Sequence, residues 1–167
     1  MNPIQRIMTL LLSLLFLSGL NGCSFQLRDS YQLPTNLQAV RLDSIDSLEL
    51  EASLTQRLLT AGIQVVDAST SASTTIIRVL SDQLERRTLS LFESGQVAEY
   101  ELIYQINYQV IREGNIEYDG QVEVARDYQD DPNFALAKTR ERELLVSEMR
   151  DEATRRLVRQ LISEFSD

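Results

Sequence analysis

The sequence predicts an α+β two-layer sandwich, in which two helices pack on one face of a four-stranded sheet that is antiparallel or mixed. Two patterns favour this fold class. Inward and outward positions alternate from Val97 to Val110, which is typical of a long strand with one buried face. Apolar residues recur at helical spacing from Leu50 to Ala61 and from Leu145 to Phe165, which indicates two amphipathic helices.

The first half of the domain is predicted to hold a short strand, a helix and a brief second strand. Residues 39–42 form the first strand. Asp46 and Glu49 have the spacing of a capping box at the start of a helix over residues 47–61. Gly62 supplies the left-handed residue that ends this helix, and residues 63–66 form the brief strand.

The second half is predicted to form an antiparallel meander. Residues 75–92 are extended and lead through the turn Glu93-Ser94-Gly95 into the alternating strand. The turn Glu113-Gly114-Asn115 then returns the chain as another strand over residues 116–128.

A long helix is predicted to close the domain. Asp130-Asp131-Pro132 ends the sheet, because Asp caps a helix and Pro fits its first turn. The helix is expected from about residue 138 to about residue 164 on the spacing of its apolar stripe.

Composition excludes several classes of function. The formal net charge is −9, whereas binding to nucleic acid requires a basic surface, so no nucleic-acid partner is expected. The chain contains no histidine and a single cysteine, which removes the commonest general base and excludes an internal disulfide. No phosphate-binding loop, nucleophile motif or metal-ligand spacing is found, so we expect no cofactor, no metal and no enzyme activity.

The single cysteine, Cys23, follows an apolar run. Residues 7–20 are too few to cross a bilayer, which needs roughly 20, but they match the apolar region of a secretory signal that begins near Arg6. The run ends in Leu20-Asn21-Gly22-Cys23, which resembles the lipobox of bacterial lipoproteins, with Asn21 in place of a small residue. We therefore expect cleavage before Cys23 and acylation of its thiol, rather than a secreted protein with a buried free cysteine.

This interpretation divides the chain into a lipoprotein signal peptide (1–22), a lipidated leader (23–37) and a single domain (38–167). Several acyl chains on Cys23, palmitate among them, would anchor the protein stably, because each buried methylene contributes about 0.8 kcal/mol. By analogy with bacterial sorting rules, Ser24 predicts the outer membrane, with the domain on its periplasmic face.

Two surfaces are candidates for binding. Arg86 and Arg87 near the first turn, and Lys138 and Arg140 in the long helix, could bind an anionic ligand, or could form ordinary surface ion pairs with neighbouring glutamates. The outward positions of the alternating strand include Ile103, Gln105 and Asn107. Such an uncharged polar face can enter a polar-lined partner at lower desolvation cost than a charged face, although it could also be simply solvated.

Four stretches resemble the LptE family of lipopolysaccharide-assembly lipoproteins. They are "CSFQLRDSYQLP" from Cys23, "VRLDS" before the first helix, "GQVAEYEL" at the start of the alternating strand and "DPNFALAK" before the last helix. They occur in order across residues 23–138, and the last two are fairly specific.

The resemblance implies a structural protein rather than an enzyme. Members of this family plug the large β-barrel LptD as a heterodimer, help it to assemble and take part in delivering lipopolysaccharide to the outer leaflet. Family members contact lipopolysaccharide through basic residues, and Lys138 lies in the matching "ALAK" segment. A second basic residue is typical just before the first turn, where this chain has Glu93, so Arg86 or Arg87 are the possible substitutes. The alternative function is an accessory or activator of another envelope enzyme or transporter.

Replacing Cys23 by Ala should leave an uncleaved precursor without lipid, because the thiol is the acceptor of the acyl chains. Mass spectrometry of the protein from membranes measures this directly. Normal processing of the Cys23→Ala variant would contradict the lipobox interpretation.

Overall fold

The computed structural model describes residues 34–43, 45–67 and 75–166. Cys23, the predicted signal peptide and most of the predicted leader lie outside these residues. Five strands and two α-helices follow one another in the order β1 (Ala39–Asp43), α1 (Leu48–Thr60), β2 (Gln64–Val65), β3 (Thr75–Leu91), β4 (Val97–Arg112), β5 (Asn115–Gln129) and α2 (Ala135–Phe165). Single 3₁₀ turns precede β1 at Thr35–Leu37 and α2 at Pro132–Phe134.

The sheet is mixed and has five strands in the order β2-β1-β3-β4-β5, so the expectation of four strands is wrong. The fifth strand is β2, predicted as a brief strand at residues 63–66 but not as a member of the sheet; it lies parallel to β1 through the pairs Ala39–Gln64 and Val40–Val65. Two residues have too little periodicity to show whether they join a sheet. The parallel β1–β3 pair and the antiparallel meander β3–β4–β5 complete the layer.

Helix α1 begins one residue later than the capping-box interpretation requires. Ser47 is the N-cap, and its Oγ accepts a hydrogen bond from the backbone N–H of Leu50 at 3.2 Å. Asp46 therefore does not cap the helix, and Glu49 accepts from the Ser47 hydroxyl instead. The predicted apolar stripe is confirmed, since Leu50, Leu54 and Leu58 are fully buried.

The long strands β4 and β5 bury one face, as the alternation predicts. Leu102, Tyr104, Ile106, Tyr108 and Val110 are all buried on β4. The turn to β5 holds Glu113 and Gly114 at positive φ angles of 52° and 82°, which is the two-residue geometry that matches the twist of a hairpin.

The pairing of β3 with β4 has three irregularities: two leave a residue of β3 without an opposite residue, and the third leaves Ala98 of β4 over between the pairs Ser90–Glu99 and Leu91–Val97. Val79 pairs with Tyr108 and Ser81 with Asn107, so Leu80 has no opposite residue. Leu89 is likewise left over between the pairs Thr88–Tyr100 and Ser90–Glu99. An extra residue of this kind reverses which side chains point to each face of the strand.

Helix α2 starts at Ala135, three residues earlier than predicted, and its 31 residues span about 46 Å. Asp131 caps the preceding 3₁₀ turn, because its Oδ1 accepts from the backbone N–H of Asn133 at 2.9 Å. This turn positions the chain to continue directly into the helix. The predicted stripe is confirmed by the buried residues Met149, Ala153, Leu157, Val158 and Leu161.

Tyr108 on β4 lies directly opposite Gly120 on β5. A Cβ atom added at Gly120 would lie 2.3 Å from Cζ of the fully buried Tyr108 ring. Gly120 therefore leaves the space that the ring occupies.

Gly120→Ala should lower the free energy of unfolding by roughly 1–3 kcal/mol, because the ring has to move in a packed core. Chemical denaturation measures this cost. In a Tyr108→Val background the same substitution should cost less, and an equal cost in both backgrounds would contradict the proposed clash.

Candidate functional site

The face of the sheet opposite the helices carries the three residues predicted to meet a partner. Ile103, Gln105 and Asn107 lie at alternate positions of β4, the fourth of the five strands, and are half-buried between their neighbours on β3 and β5. Their placement on one outward face is confirmed, while their contact with a partner stays a prediction.

Hydrogen bonds join the polar side chains of this face. The Asn107 amide donates to Ser81 Oγ at 2.7 Å, and the Gln105 amide donates to Asn107 Oδ1 at 3.3 Å. In register with these residues lie Gln83 on β3 and Gln121 on β5. We call these five residues, Ser81, Gln83, Gln105, Asn107 and Gln121, the amide platform. It crosses three strands, and two carboxylates flank it on the same face, Glu85 opposite Ile103 and Glu123 opposite Gln105.

Charged residues follow on the same face towards the β3–β4 turn. Arg87 forms an ion pair with Glu101. Glu99 accepts hydrogen bonds from Ser90 Oγ at 2.8 Å and Gln129 Nε2 at 3.2 Å, which hold the pKa of its carboxyl below the usual value. The amide platform therefore borders a charged zone with an acidic excess.

The structure separates Arg86 from Arg87. Arg86 pairs with Leu102 on the helix-covered face, and its guanidinium carbon lies 4.4 Å from the centre of the Tyr100 ring. Arg87 lies on the opposite face, with Glu101. Only Arg86 therefore shares a face with the long helix.

Lys138, on α2, contacts the tyrosine that is paired with the one beside Arg86. Its ammonium is 5.6 Å from the centre of the Tyr128 ring, and Tyr128 pairs directly with Tyr100. The hydroxyl of Tyr128 donates to the backbone carbonyl of Lys138 at 2.7 Å, which fixes the start of α2 on the sheet. Arg86 and Lys138 thus flank two neighbouring tyrosines. The side chain of Arg140 is exposed and makes no ion pair or hydrogen bond in the described part of the chain.

Lys138 is also tied to acidic groups. Glu141 accepts a hydrogen bond from its ammonium at 2.9 Å, which raises the pKa of Lys138 and keeps it charged. A depression of about 440 Å³ beside Lys138 is lined by Glu99, Asp130 and Asp131 among others. These carboxylates disfavour an anion inside the depression.

Neither metal chemistry nor a membrane-crossing helix is indicated by the described residues. Within ranges 34–43, 45–67 and 75–166, no group of three or more Asp, Glu, Cys or His side chains is placed to hold a metal ion. In the same ranges, neither helix is apolar enough over a sufficient length to cross a bilayer.

Comparison with known proteins adds a family to this geometry. A family model described as LptE, lipopolysaccharide-assembly, matches residues 37–161. The chain belongs to the LptE family. An LPS-assembly lipoprotein LptE of Yersinia pestis is 38% identical over 160 residues, which cover 95% of this chain and 77% of that protein.

Solved structures agree with the LptE assignment. The crystal structure of rare lipoprotein B from Shewanella oneidensis is 42% identical, with a TM-score of 0.67 over 75% of this chain and 95% of that one. The solution structure of a lipoprotein B from Nitrosomonas europaea is 28% identical, with a TM-score of 0.66 over 78% and 85% of the two chains. The LptE family match includes the amide platform, Arg86 and Lys138.

The sequence analysis missed an exposed apolar group at the end of the LptE-like sheet. Leu91 and Phe92 border the β3–β4 turn, and Phe134 and Leu136 border the start of α2. Their exposed fractions are 60%, 44%, 64% and 70%. The sequence signal for this exposed group is the apolar run of residues 89–92, which ends at a polar turn. Apolar side chains next to a solvent-exposed turn have little to pack against.

Proposed function

We propose that this protein is an outer-membrane lipoprotein that plugs the LptD β-barrel as a heterodimer and takes part in delivering lipopolysaccharide to the outer leaflet. The observation that carries the proposal is the amide platform on the open face of the sheet in a member of the LptE family. Cys23 would carry the acyl chains that hold the domain of residues 38–167 at the periplasmic face, through the leader of residues 23–37.

The chemistry of the platform suits the interior of a barrel. Amide and hydroxyl groups lose less free energy on leaving water than charged groups do, and each can donate or accept a new hydrogen bond. Gln105 and Asn107 already hold each other in place, so docking orders few additional side chains. Ile103 adds an apolar contact beside them.

The cation pair suits the phosphates of lipopolysaccharide. Arg86 and Lys138 lie above neighbouring tyrosines, so their side chains are directed by ring contacts towards one side of the sheet. The exposed Leu91, Phe92, Phe134 and Leu136 lie at the same end of the sheet, where acyl chains could contact them. The chain as a whole is acidic, so attraction of an anionic lipid is confined to this local pair.

Arg140 and Arg87 have weaker support as lipid contacts. Arg140 lacks a neighbouring ring or partner that would direct it, in the part of the chain that is described. Arg87 faces the other side of the sheet and is neutralised by Glu101.

A charge placed on the amide platform should weaken binding to the barrel. Ile103→Glu, Gln105→Glu and Asn107→Asp each bury an unpaired charge on docking, so recovery of the barrel protein should fall about ten-fold or more. Co-purification from detergent-solubilised outer membranes measures this recovery.

Leu48→Glu is the matched control, because Leu48 is 78% exposed on α1, away from the platform. Equal recovery for platform and control variants would remove this face from the interface. Recovery of the unaltered protein without any large barrel protein would refute the plug and favour the accessory role.

Reversal of either cation should reduce lipopolysaccharide binding. Loss of one cation near an anionic headgroup costs about 1 kcal/mol, so Arg86→Glu and Lys138→Glu should each weaken binding about five-fold or more. Binding of purified protein to labelled lipopolysaccharide provides the measurement. Arg87→Glu is the matched control on the opposite face, and a loss as large as that of Arg86→Glu would contradict the assignment of faces.

A further inference from the structure

The outer edge of β5 is the long free edge of the sheet. β5 is the last strand in the order and pairs along its 15 residues with β4 alone. A free edge normally presents outward N–H and C=O groups on which another strand can form.

Side chains occupy three successive outward carbonyls of this edge. The backbone N–H of Asp130 donates to the carbonyl of Ala98 on β4. Because the pattern alternates along an antiparallel pair, the backbone groups of even-numbered residues of β5 bond to β4, and the N–H and C=O groups of odd-numbered residues point away from it. The side chains of Gln160, Arg156 and Arg126 donate to the carbonyls of Gln121, Glu123 and Ala125, at 3.4, 2.9 and 2.8 Å respectively.

The two donors from α2 are themselves held in place. Tyr108 Oη donates to Gln160 Oε1 at 3.2 Å, which links this amide to the buried core. Arg156 Nε donates to Glu152 Oε1 at 2.9 Å. Displacing either side chain from the edge would therefore break or strain a second contact.

Carboxylates add a barrier that acts specifically between two copies of the chain. Asp119, Glu123 and Asp127 are exposed at odd-numbered positions, and in the described part of the chain none forms an ion pair. In an antiparallel pairing of two β5 edges centred on Glu123, Asp119 would face Asp127 and Glu123 would face its counterpart. Like charges directly opposite each other destabilise a strand pair.

We propose that Arg126, Arg156 and Gln160, together with Asp119, Glu123 and Asp127, close the β5 edge against strand addition by a second copy of this chain. The sheets of two copies therefore stay separate, and the outer face of each sheet remains the surface open to a partner. This inference depends on the edge alone and holds whether or not the platform binds a barrel.

Hydrogen exchange and sedimentation of the full-length lipoprotein in mild detergent test the closed edge. In the unaltered protein, the outward amides of Gln121, Glu123 and Ala125 should exchange fast and the protein should sediment as a monomer. A variant with Arg156→Ala, Gln160→Ala, Asp119→Asn, Glu123→Gln and Asp127→Asn should dimerise with rising concentration, and the same amides should exchange about ten-fold more slowly.

The control variant combines Arg155→Ala and Arg159→Ala with Glu51→Gln, Glu143→Gln and Glu148→Gln. Like the test variant, it removes three exposed carboxylates, and it removes two arginines where the test variant removes one arginine and one glutamine. Because the β5 edge is left intact, the control should remain monomeric. If the variant with five substitutions folds but stays monomeric with fast-exchanging amides, the proposal is overturned. Equal dimerisation of the control would overturn it as well. If the variant with five substitutions does not fold, slow exchange of the amides of Gln121, Glu123 and Ala125 in the unaltered monomer would still overturn the proposal.

Discussion

The fold depends on the packing of α2 against the buried face of β4 and β5. This contact requires a continuous apolar face on two strands, a matching stripe along a 31-residue helix, and a glycine where the Tyr108 ring crosses to β5. Because both helices take the same face, the opposite face has no cover from the described elements. The same interaction that stabilises the domain therefore leaves a broad sheet surface available for a partner.

Sequence patterns predicted the elements well where one period continued over many residues. The alternation along β4 and the stripe of α2 are examples, because burial on one side imposes a regular spacing. Prediction failed where a single local contact decides the outcome. Either Asp46 or Ser47 could cap α1, and β2 has only two residues with which to signal its pairing. The start of α2 was missed because its first residues are exposed and lie outside the apolar stripe.

The candidate sites show the same limit. Ile103, Gln105 and Asn107 could be assigned to one face, since the parity of β4 is unbroken between them. Arg86 and Arg87 could not be separated, because the extra residue Leu80 sets which of them faces α2, and no local sequence pattern identifies it as extra. The neighbourhood of Lys138 was equally hidden, as Tyr100 and Tyr128 are far apart along the chain and adjacent only in the paired strands.

The unpaired position of Leu80 also constrains how this chain can change in length. Val79 and Ser81 already pair with consecutive residues of β4, so deleting Leu80 itself would restore regular alternation and leave both sides of β3 unchanged up to Leu89. Losing one residue between Ser81 and Leu84 while Leu80 stays unpaired would instead turn Leu84 and Arg86 away from the tyrosines and place Glu85 and Arg87 under the helix layer. Natural variation in length should therefore either remove Leu80 itself or change the rest of this stretch two residues at a time, a parity rule that comparison of homologous genes would reveal.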